Sequence, residues 1–292
     1  MMSESFIAQV IASRKSIRSY QAAPLSEDAL HQIEESGAES IPFFSEIGLR
    51  FIVIDDGPAF IQDHGGALRS YGRILGAPHY LAAVSDTCAG YMINTGFRME
   101  QLILRATALG VGTCWLGGAY RRQDVGQMLG IAPDEQMVAL TPLGMPADGM
   151  RTIIGRAIKL LTPAQGKRDP LEELAFEGQW GSPVGNKLND RPALREMLEA
   201  ARLAPSWVNS QPWRFVLRND ILVVAVSRPA GQNELPYYLL DGGIAMSHIH
   251  LVADELGQKP AWITDPMALE PVRTESGIPG AFDVIGALKL PA

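Results

Sequence analysis

The feature that most constrains this chain is that it repeats itself. Displaced by 164 positions, Ala29-Leu30 falls on Ala193-Leu194 without gaps, Glu35 on Glu199, Arg50-Phe51 on Arg214-Phe215 and Asp56 on Asp220. Further along, a displacement of 147 positions brings Gly96 onto Gly243, Met99 onto Met246, Leu109-Gly110 onto Leu256-Gly257 and Trp115 onto Trp262. The identities are few but collinear, and collinearity is the mark of a diverged duplication. The chain is therefore expected to fold as two similar halves.

Hydrophobic periodicity gives the elements of each copy. Phe6, Ile7, Val10 and Ile11 recur at helical spacing and predict a short amphipathic helix over residues 6–12. Ser26 before Glu27 and Asp28 predicts a capped helix that runs towards Gly37. Residues 49–55, 80–84 and 138–143 read as strands, and a long helix over 94–109 is expected to end at Gly110. The pattern weakens over 146–166, and 178–189 is again rich in Gly, Pro and Asn. Then the series restarts: helix 192–202, strands 214–217 and 221–226, helix 242–256 and strand 284–290. The boundary is expected between a first half of residues 1–176 and a second of 177–292. Helices and strands are interspersed without strict βαβ alternation, so the predicted class is α+β.

Composition narrows the function. With 292 residues, 47% of them hydrophobic and 20% charged, the chain has ample core for a globular protein. A net charge of −7 argues against nucleic-acid binding, which needs a basic face. Two cysteines, Cys88 and Cys114, indicate no disulfide framework and point to a reducing cytoplasm. The N-terminal apolar stretch is too short and too acidic for a signal peptide, and no apolar run is long enough to span a bilayer. No partner with metal spacing accompanies His248 and His250, so a metal site is not expected.

Two motifs carry chemistry. In an extended segment Arg14, Ser16 and Arg18 project to one side while Ile17 turns to the core. Two guanidinium forks and a hydroxyl on one side suit a phosphate dianion, though the same residues also suit a solvated basic turn. The second motif runs from Ala204 to Trp213. Pro205 and Pro212 stiffen it, Ser206, Asn209 and Gln211 offer polar groups, and two tryptophans offer flat apolar surface. Such a loop suits a planar heteroaromatic with hydrogen-bonding edges; its plainer reading is a rigid helix-to-strand connection.

The strings RKSIRSY, AARLAPSWVNSQPWRF, ALGVGTCWLGG and VALTPLGMP…KRDPLEEL, taken together, resemble the flavin-dependent nitroreductases, in that family's order if one chain is read as two fused copies. Typical members are homodimers that hold two flavins at the interface. The resemblance implies that each flavin phosphate is gripped by the first motif of one subunit while the second motif reaches the ring from the other. Here Pro205-Ser206 correspond to Ile41-Pro42 and Asn209 to Ser45, while Arg14, Ser16 and Arg18 correspond to Gly178, Trp180 and Ser182. The first half lacks the loop and the second half lacks the clamp. The expectation is one FMN per chain, in a monomer whose halves act as a pseudo-dimer.

The resemblance implies further contacts. The backbone at Gly117 and Gly118 would hydrogen-bond flavin N5, Arg73 would lie near the N1–C2=O edge, and Lys167 and Arg168 would lie near the phosphate. Lys15, Pro205 and Gln211 complete the expected cofactor-binding set, whereas Asn94 and Arg98 read as structural and Cys114 as a core thiol. The implied activity is a two-electron, ping-pong oxidoreductase with NAD(P)H as transient reductant and a nitroaromatic, quinone or related small molecule as acceptor. No protein nucleophile is needed, because the cofactor carries the chemistry. The rival readings are a dehalogenase or flavin-modifying relative and a non-catalytic flavin-binding sensor. Tyr71, Tyr91, Tyr237 and Tyr238 are candidates for a pocket lining.

Overall fold

Alternation decides the architecture of the first half. In a strand buried on both faces, successive side chains feed opposite cores. The strands β1 (Leu49–Ile54), β2 (His79–Asp86) and β3 (Glu135–Leu143) form an antiparallel sheet in the order β1-β2-β3. Tyr80, Ala82 and Val84 of the central strand join one cluster with Phe60, Val125, Leu140 and Cys114, against which Ile17, Ile52 and Ile54 pack. Leu81 joins the other with Ile33, Leu102 and Ala106, flanked by Phe51 and Val53. Helices α2 (Glu27–Glu39) and α4 (Tyr91–Ala108) cover that second face, and α3 (Gly57–His64) and α5 (Arg122–Met128) contribute to the first. The computed structural model describes residues 5–64, 74–116, 122–147, 167–231 and 235–291.

The second half repeats the plan. Helix α7 (Pro192–Arg202) precedes β5 (Trp213–Arg218) and β6 (Ile221–Ser227), then come the long helix α8 (Tyr237–Glu255) and β8 (Phe282–Lys289). β6 pairs antiparallel with both β5 and β8, as β2 does with β1 and β3. Each central strand carries a register shift against its last partner, at Ala83/Val84 and at Val224/Ala225. The long helices end alike, on Leu109-Gly110 and Leu256-Gly257, with both glycines left-handed at φ +76. That is the conformation a helix C-terminus demands and a side chain resists. The second sheet is wider: β4 (Ala175–Glu177) joins β5 in parallel and β7 (Ala261–Ile263) joins β8, giving the order β4-β5-β6-β8-β7.

The expected helices and strands are all present, with ends displaced by a few residues, and the class is α+β. Ser26 caps α2 as its sequence context predicts, accepting the Ala29 N–H at 3.2 Å. The long helix of the second half starts at Tyr237, five residues ahead of the expected Gly242. Gly242 is interior because the helix comes close to the sheet there: an added Cβ would fall within 2.7 Å of the Val226 side chain. Not anticipated were α3, α5, β4, β7, the short α6 (Leu171–Leu174) and α9 (Pro266–Glu275).

By packing, the chain divides into Ser13–Lys167 and a second unit made of Met1–Ala12 with Arg168–Ala292. The compact units therefore do not follow the sequence copies residue for residue. The N-terminal helix α1 (Phe6–Ser13) is fastened within the second unit by two carboxylates: Glu255 accepts the Phe6 and Ile7 N–H groups at 3.1 and 2.9 Å, and Glu196 accepts that of Ser5 at 3.0 Å. These are donors that a helix N-terminus cannot satisfy internally, and a carboxylate also complements its dipole. Glu255→Ala should cost about 1 kcal/mol of stability, the size of a lost N-terminal cap. Hydrogen exchange over residues 6–12 should rise more than elsewhere; unchanged protection there would show that apolar packing alone holds the helix.

Candidate functional site

The sequence motifs lie one in each unit. In the first unit, residues 16–21 form a strap held on several sides by backbone bonds. Ile17 N–H donates to Thr113 O at 2.8 Å, Leu75 N–H to Arg18 O at 2.9 Å, Tyr20 N–H to Leu75 O at 2.8 Å and Ala147 N–H to Ser19 O at 3.0 Å. Ile17 packs into the core, as the expected alternation requires. The Tyr20 hydroxyl closes the strap on itself, donating to Ile17 O at 2.5 Å.

This geometry gathers Arg14, Ser16 and Arg18 around the buried Cys114. Burial pushes the Cys114 thiol up, and the Arg18 charge, a hydrogen bond with Ser16 and the Arg14 charge pull it back down. The Arg14 side chain is 7% exposed and its Nε lies 3.9 Å from Oε1 of the buried Glu100, too far for a hydrogen bond. Glu100 Oε2 instead accepts the Trp115 Nε1–H at 2.8 Å. Among the described residues Arg14 Nε is thus buried without a hydrogen-bond partner, and no carboxylate pairs with Arg18. Among the described residues the two guanidinium groups meet one carboxylate, Glu100 at 3.9 Å from Arg14, and a phosphate dianion would match the remaining charge and donors. Lys15 is exposed. Arg73, Gly117 and Gly118 lie outside the described residues, as does the pocket candidate Tyr71.

In the second unit the Pro205–Gln211 region is a strained loop. Val208, Asn209 and Gln211 have φ of 46, 59 and 47, a left-handed conformation that non-glycine residues rarely hold. Side-chain bonds keep it so. Ser206 Oγ accepts the Gln211 N–H at 3.0 Å, and Gln211 Oε1 accepts the Asp169 N–H at 2.9 Å. Arg168 donates to Asn209 Oδ1 at 2.6 Å and to Leu203 O at 3.0 Å. Asp241 of α8 accepts the Trp207 N–H at 3.0 Å. The Trp207 ring stacks on Tyr237, with centroids 5.4 Å apart and planes 10° from parallel.

The structure therefore brings Arg168, Ser206, Asn209 and Gln211 together. Pro205 is buried in the same turn, and Lys167 is an exposed residue at its margin. Gln211, 4% exposed, is committed to holding the chain in place. Sequence reasoning named Tyr237 only as a pocket-lining candidate and missed Asp241 and Glu100 as parts of these two assemblies. A usable signal existed for Asp241: the 147-residue displacement places it on Asn94, a second polar residue inside a buried helix.

Some of the corresponding positions in the other half carry half-buried aromatic residues. Trp180, which corresponds to Ser16, packs on Phe176 and Phe282 with centroids 5.1 and 4.5 Å away. Phe43 and Phe44, which correspond to Trp207 and Val208, pack edge to face at 4.8 Å, and Phe43 also meets Phe97 at 5.2 Å.

Comparison with known proteins identifies the family and the fold. The family described as "Putative TM nitroreductase" matches residues 6–253, and the chain belongs to this nitroreductase family. A crystal structure of "a putative nitroreductase" from Thermotoga maritima is similar over 99% of this chain and 96% of that one, with 21% identity and a TM-score of 0.59. That likeness shows a shared fold along the full double length. Shorter matches include a nitroreductase family protein from Clostridium novyi (24% identity, 61% of this chain and 97% of that one, TM-score 0.42). Another is a nitroreductase with bound FMN from Desulfitobacterium hafniense (22% identity, 50% and 90%, TM-score 0.44). No curated protein matches in sequence. Among the described residues no cluster of His, Cys, Asp and Glu could hold a metal ion, and no helix is long and apolar enough to cross a membrane.

If Arg168 is what holds Asn209, Arg168→Ala should lower stability by about 1.5–3 kcal/mol, the range for charged hydrogen bonds. Amide exchange over 205–211 should accelerate with it. Arg168→Lys should not restore protection, since one ammonium cannot span both acceptors. Equal protection in all three proteins would show that the loop is held without Arg168.

Proposed function

We propose that the chain binds one FMN and is an NAD(P)H-dependent oxidoreductase that reduces a small acceptor such as a nitroaromatic, a quinone or an activated alkene. The observation that carries this reading is the gathering of Arg14, Ser16 and Arg18 on a pinned strap, with a buried guanidinium nitrogen left without a partner among the described residues. Family membership and the 204–213 loop support it. The donor set fits the cofactor: two guanidinium groups and a hydroxyl match a terminal phosphate, and a stiff loop with a polar edge matches a flat ring system.

In this reading Arg14 and Arg18 neutralise the phosphate dianion and Ser16 adds a neutral donor. Glu100 hydrogen-bonds Trp115 and lies 3.9 Å from Arg14 Nε, at ion-pair distance but without a hydrogen bond to it. Ser206 and Asn209 address the ring, with Arg168 fixing Asn209 and Gln211 fixing the chain behind it. FMN, held by these residues, would supply the two-electron chemistry that links NAD(P)H to the acceptor. The protein contributes orientation and electrostatics, and one such site per chain is enough for turnover by a monomer. The free thiols of Cys88 and Cys114 suit the cytoplasm.

Arg18→Ala should weaken FMN affinity by about 1.5–3 kcal/mol, about 10- to 150-fold in Kd. Asn209→Ala should also weaken binding. The purified protein should be yellow, with one flavin per chain, and should bleach on anaerobic mixing with NADH or NADPH. Flavin retained equally by both variants would refute the shared site, and a flavin that never bleaches would refute the oxidoreductase.

A further inference from the structure

The two displacements that relate the halves meet in a single interaction. At 147 positions Asn94 of α4 falls on Asp241 of α8; at 164 positions Phe43 falls on Trp207. In the first unit Asn94 Oδ1 accepts the N–H groups of Phe43 and Phe44 at 3.0 and 3.1 Å. In the second, Asp241 Oδ2 accepts the Trp207 N–H at 3.0 Å. Each long helix thus uses the same position of its first turns to hold the same point of the preceding turn. Asn94 is wholly buried and Asp241 is 3% exposed. The halves differ in one respect that matters: the first uses an amide that cannot ionise, the second a carboxyl that can.

We propose that Asp241 is a positioning residue, the latch of the 205–211 loop, and that the proton on its carboxyl sets how firmly that loop is held. The proposal rests on the reading that this loop addresses the flavin. A carboxylic acid can accept the Trp207 N–H through its carbonyl oxygen as Asn94 does. A buried carboxylate must either bear an uncompensated charge or draw in water, and water reaches Asp241 when the loop that covers it lifts.

Among the described residues the surroundings offer no compensating cation. Burial pushes the Asp241 carboxyl up to about 8, and the Trp207 N–H, which favours the charged form, opposes that only in part. On elements packed against α8, Arg202 pairs with Glu199, and His248 hydrogen-bonds the Ala200 carbonyl. Arg228 and Tyr238 are engaged with Asp283, and Arg168 with Asn209. None of these contributes to the state of Asp241. Its proton is therefore retained in the closed loop and lost in the opened one, whose carboxyl is solvated. Because the closed-state value is the raised one, closure is strongest below about pH 4 and weakens as pH rises. The loss is complete once pH has passed about 8. Within that window opening should increase by up to about tenfold per pH unit.

The test is hydrogen exchange of the Trp207 region in the flavin-free full chain, expressed as protection relative to intrinsic exchange, from pH 5 to about pH 9. The parent should lose protection steadily up to about pH 8 and then level off. Asp241→Asn, which installs the amide used by the other half, should keep the loop protected at every pH. Asp241→Leu should leave it open at every pH. FMN affinity, taken as the ratio of parent to Asp241→Asn so that phosphate titration cancels, should fall over the same window. A flat protection profile in the parent overturns the latch without any variant, as does an Asp241→Asn profile parallel to the parent's. The flavin reading fails separately: if neither protein binds FMN while their protection profiles differ as stated, the latch stands and the ligand is another.

Discussion

A long helix buried on most of its sides is stabilised by each internal partner its polar groups find, although Asn94 Nδ2 and Ser247 Oγ are buried here without one among the described residues. Both halves are organised by that constraint. In α8, thirteen of nineteen residues are buried, among them Asp241, Ser247 and His248, and α4 buries Asn94, Thr95 and Glu100. Such groups cost several kcal/mol when unpaired, so their partners are as constrained as the helix itself. Several of those partners lie in turns and loops outside the helices. Asn94 and Asp241 hold turns, Glu100 holds Trp115 beside the cationic strap, and His248 hydrogen-bonds the Ala200 carbonyl near the end of the helix that leads into the loop. The helix interior thereby fixes the geometry of segments that have few apolar contacts of their own.

The two halves differ most at the positions of the two sequence motifs. Residues 14–18 and 204–213 keep charge or strain in place. At corresponding positions of the other half aromatic residues pack instead. Trp180 has entered the aromatic cluster under α9, and Phe43 has entered the cluster around Phe97. Aromatic packing of this kind stabilises the unit in which it occurs.

Much of this was legible from residues alone, where local chemistry and pattern agree. Ser26 before two acids, Leu-Gly at the ends of both long helices, and the continuous apolar run of β6 each agree with one structure. The helices that escaped notice carried local signals that apolar periodicity did not reinforce. Asp56 accepts the Ala59 N–H and Asp265 that of Met267, so α3 and α9 both begin on a capping aspartate with a proline close behind. Yet α9 buries Leu269 alone on a helix interrupted by Pro271, too little to show a stripe. β4 and β7 are three residues long and exist because a neighbouring strand offers an edge, a tertiary fact. In the site, residue types pointed to the strap and the loop, but not to what holds them. Asp241 lies 34 positions from Trp207, and its role emerges only when the two displacements of the repeat are applied together.

The strain in the loop bears on why so many bonds converge there. A left-handed conformation costs an ordinary residue about 1–2 kcal/mol, and more for a β-branched one. Val208 has φ of 46 and is 74% exposed, so burial of its own surface offsets none of that cost. The compensation comes from its neighbours: Trp207 through Asp241 and Tyr237, Asn209 through Arg168, and Gln211 through Asp169 and Ser206. A loop that only joined α7 to β5 would relax by substituting glycine or by shifting a residue. Such a set of side chains aimed at one short stretch of backbone makes sense where the direction of Ser206 and Asn209 is what must be preserved. Strain of this kind fixes polar groups before a ligand arrives, so that binding does not have to order them.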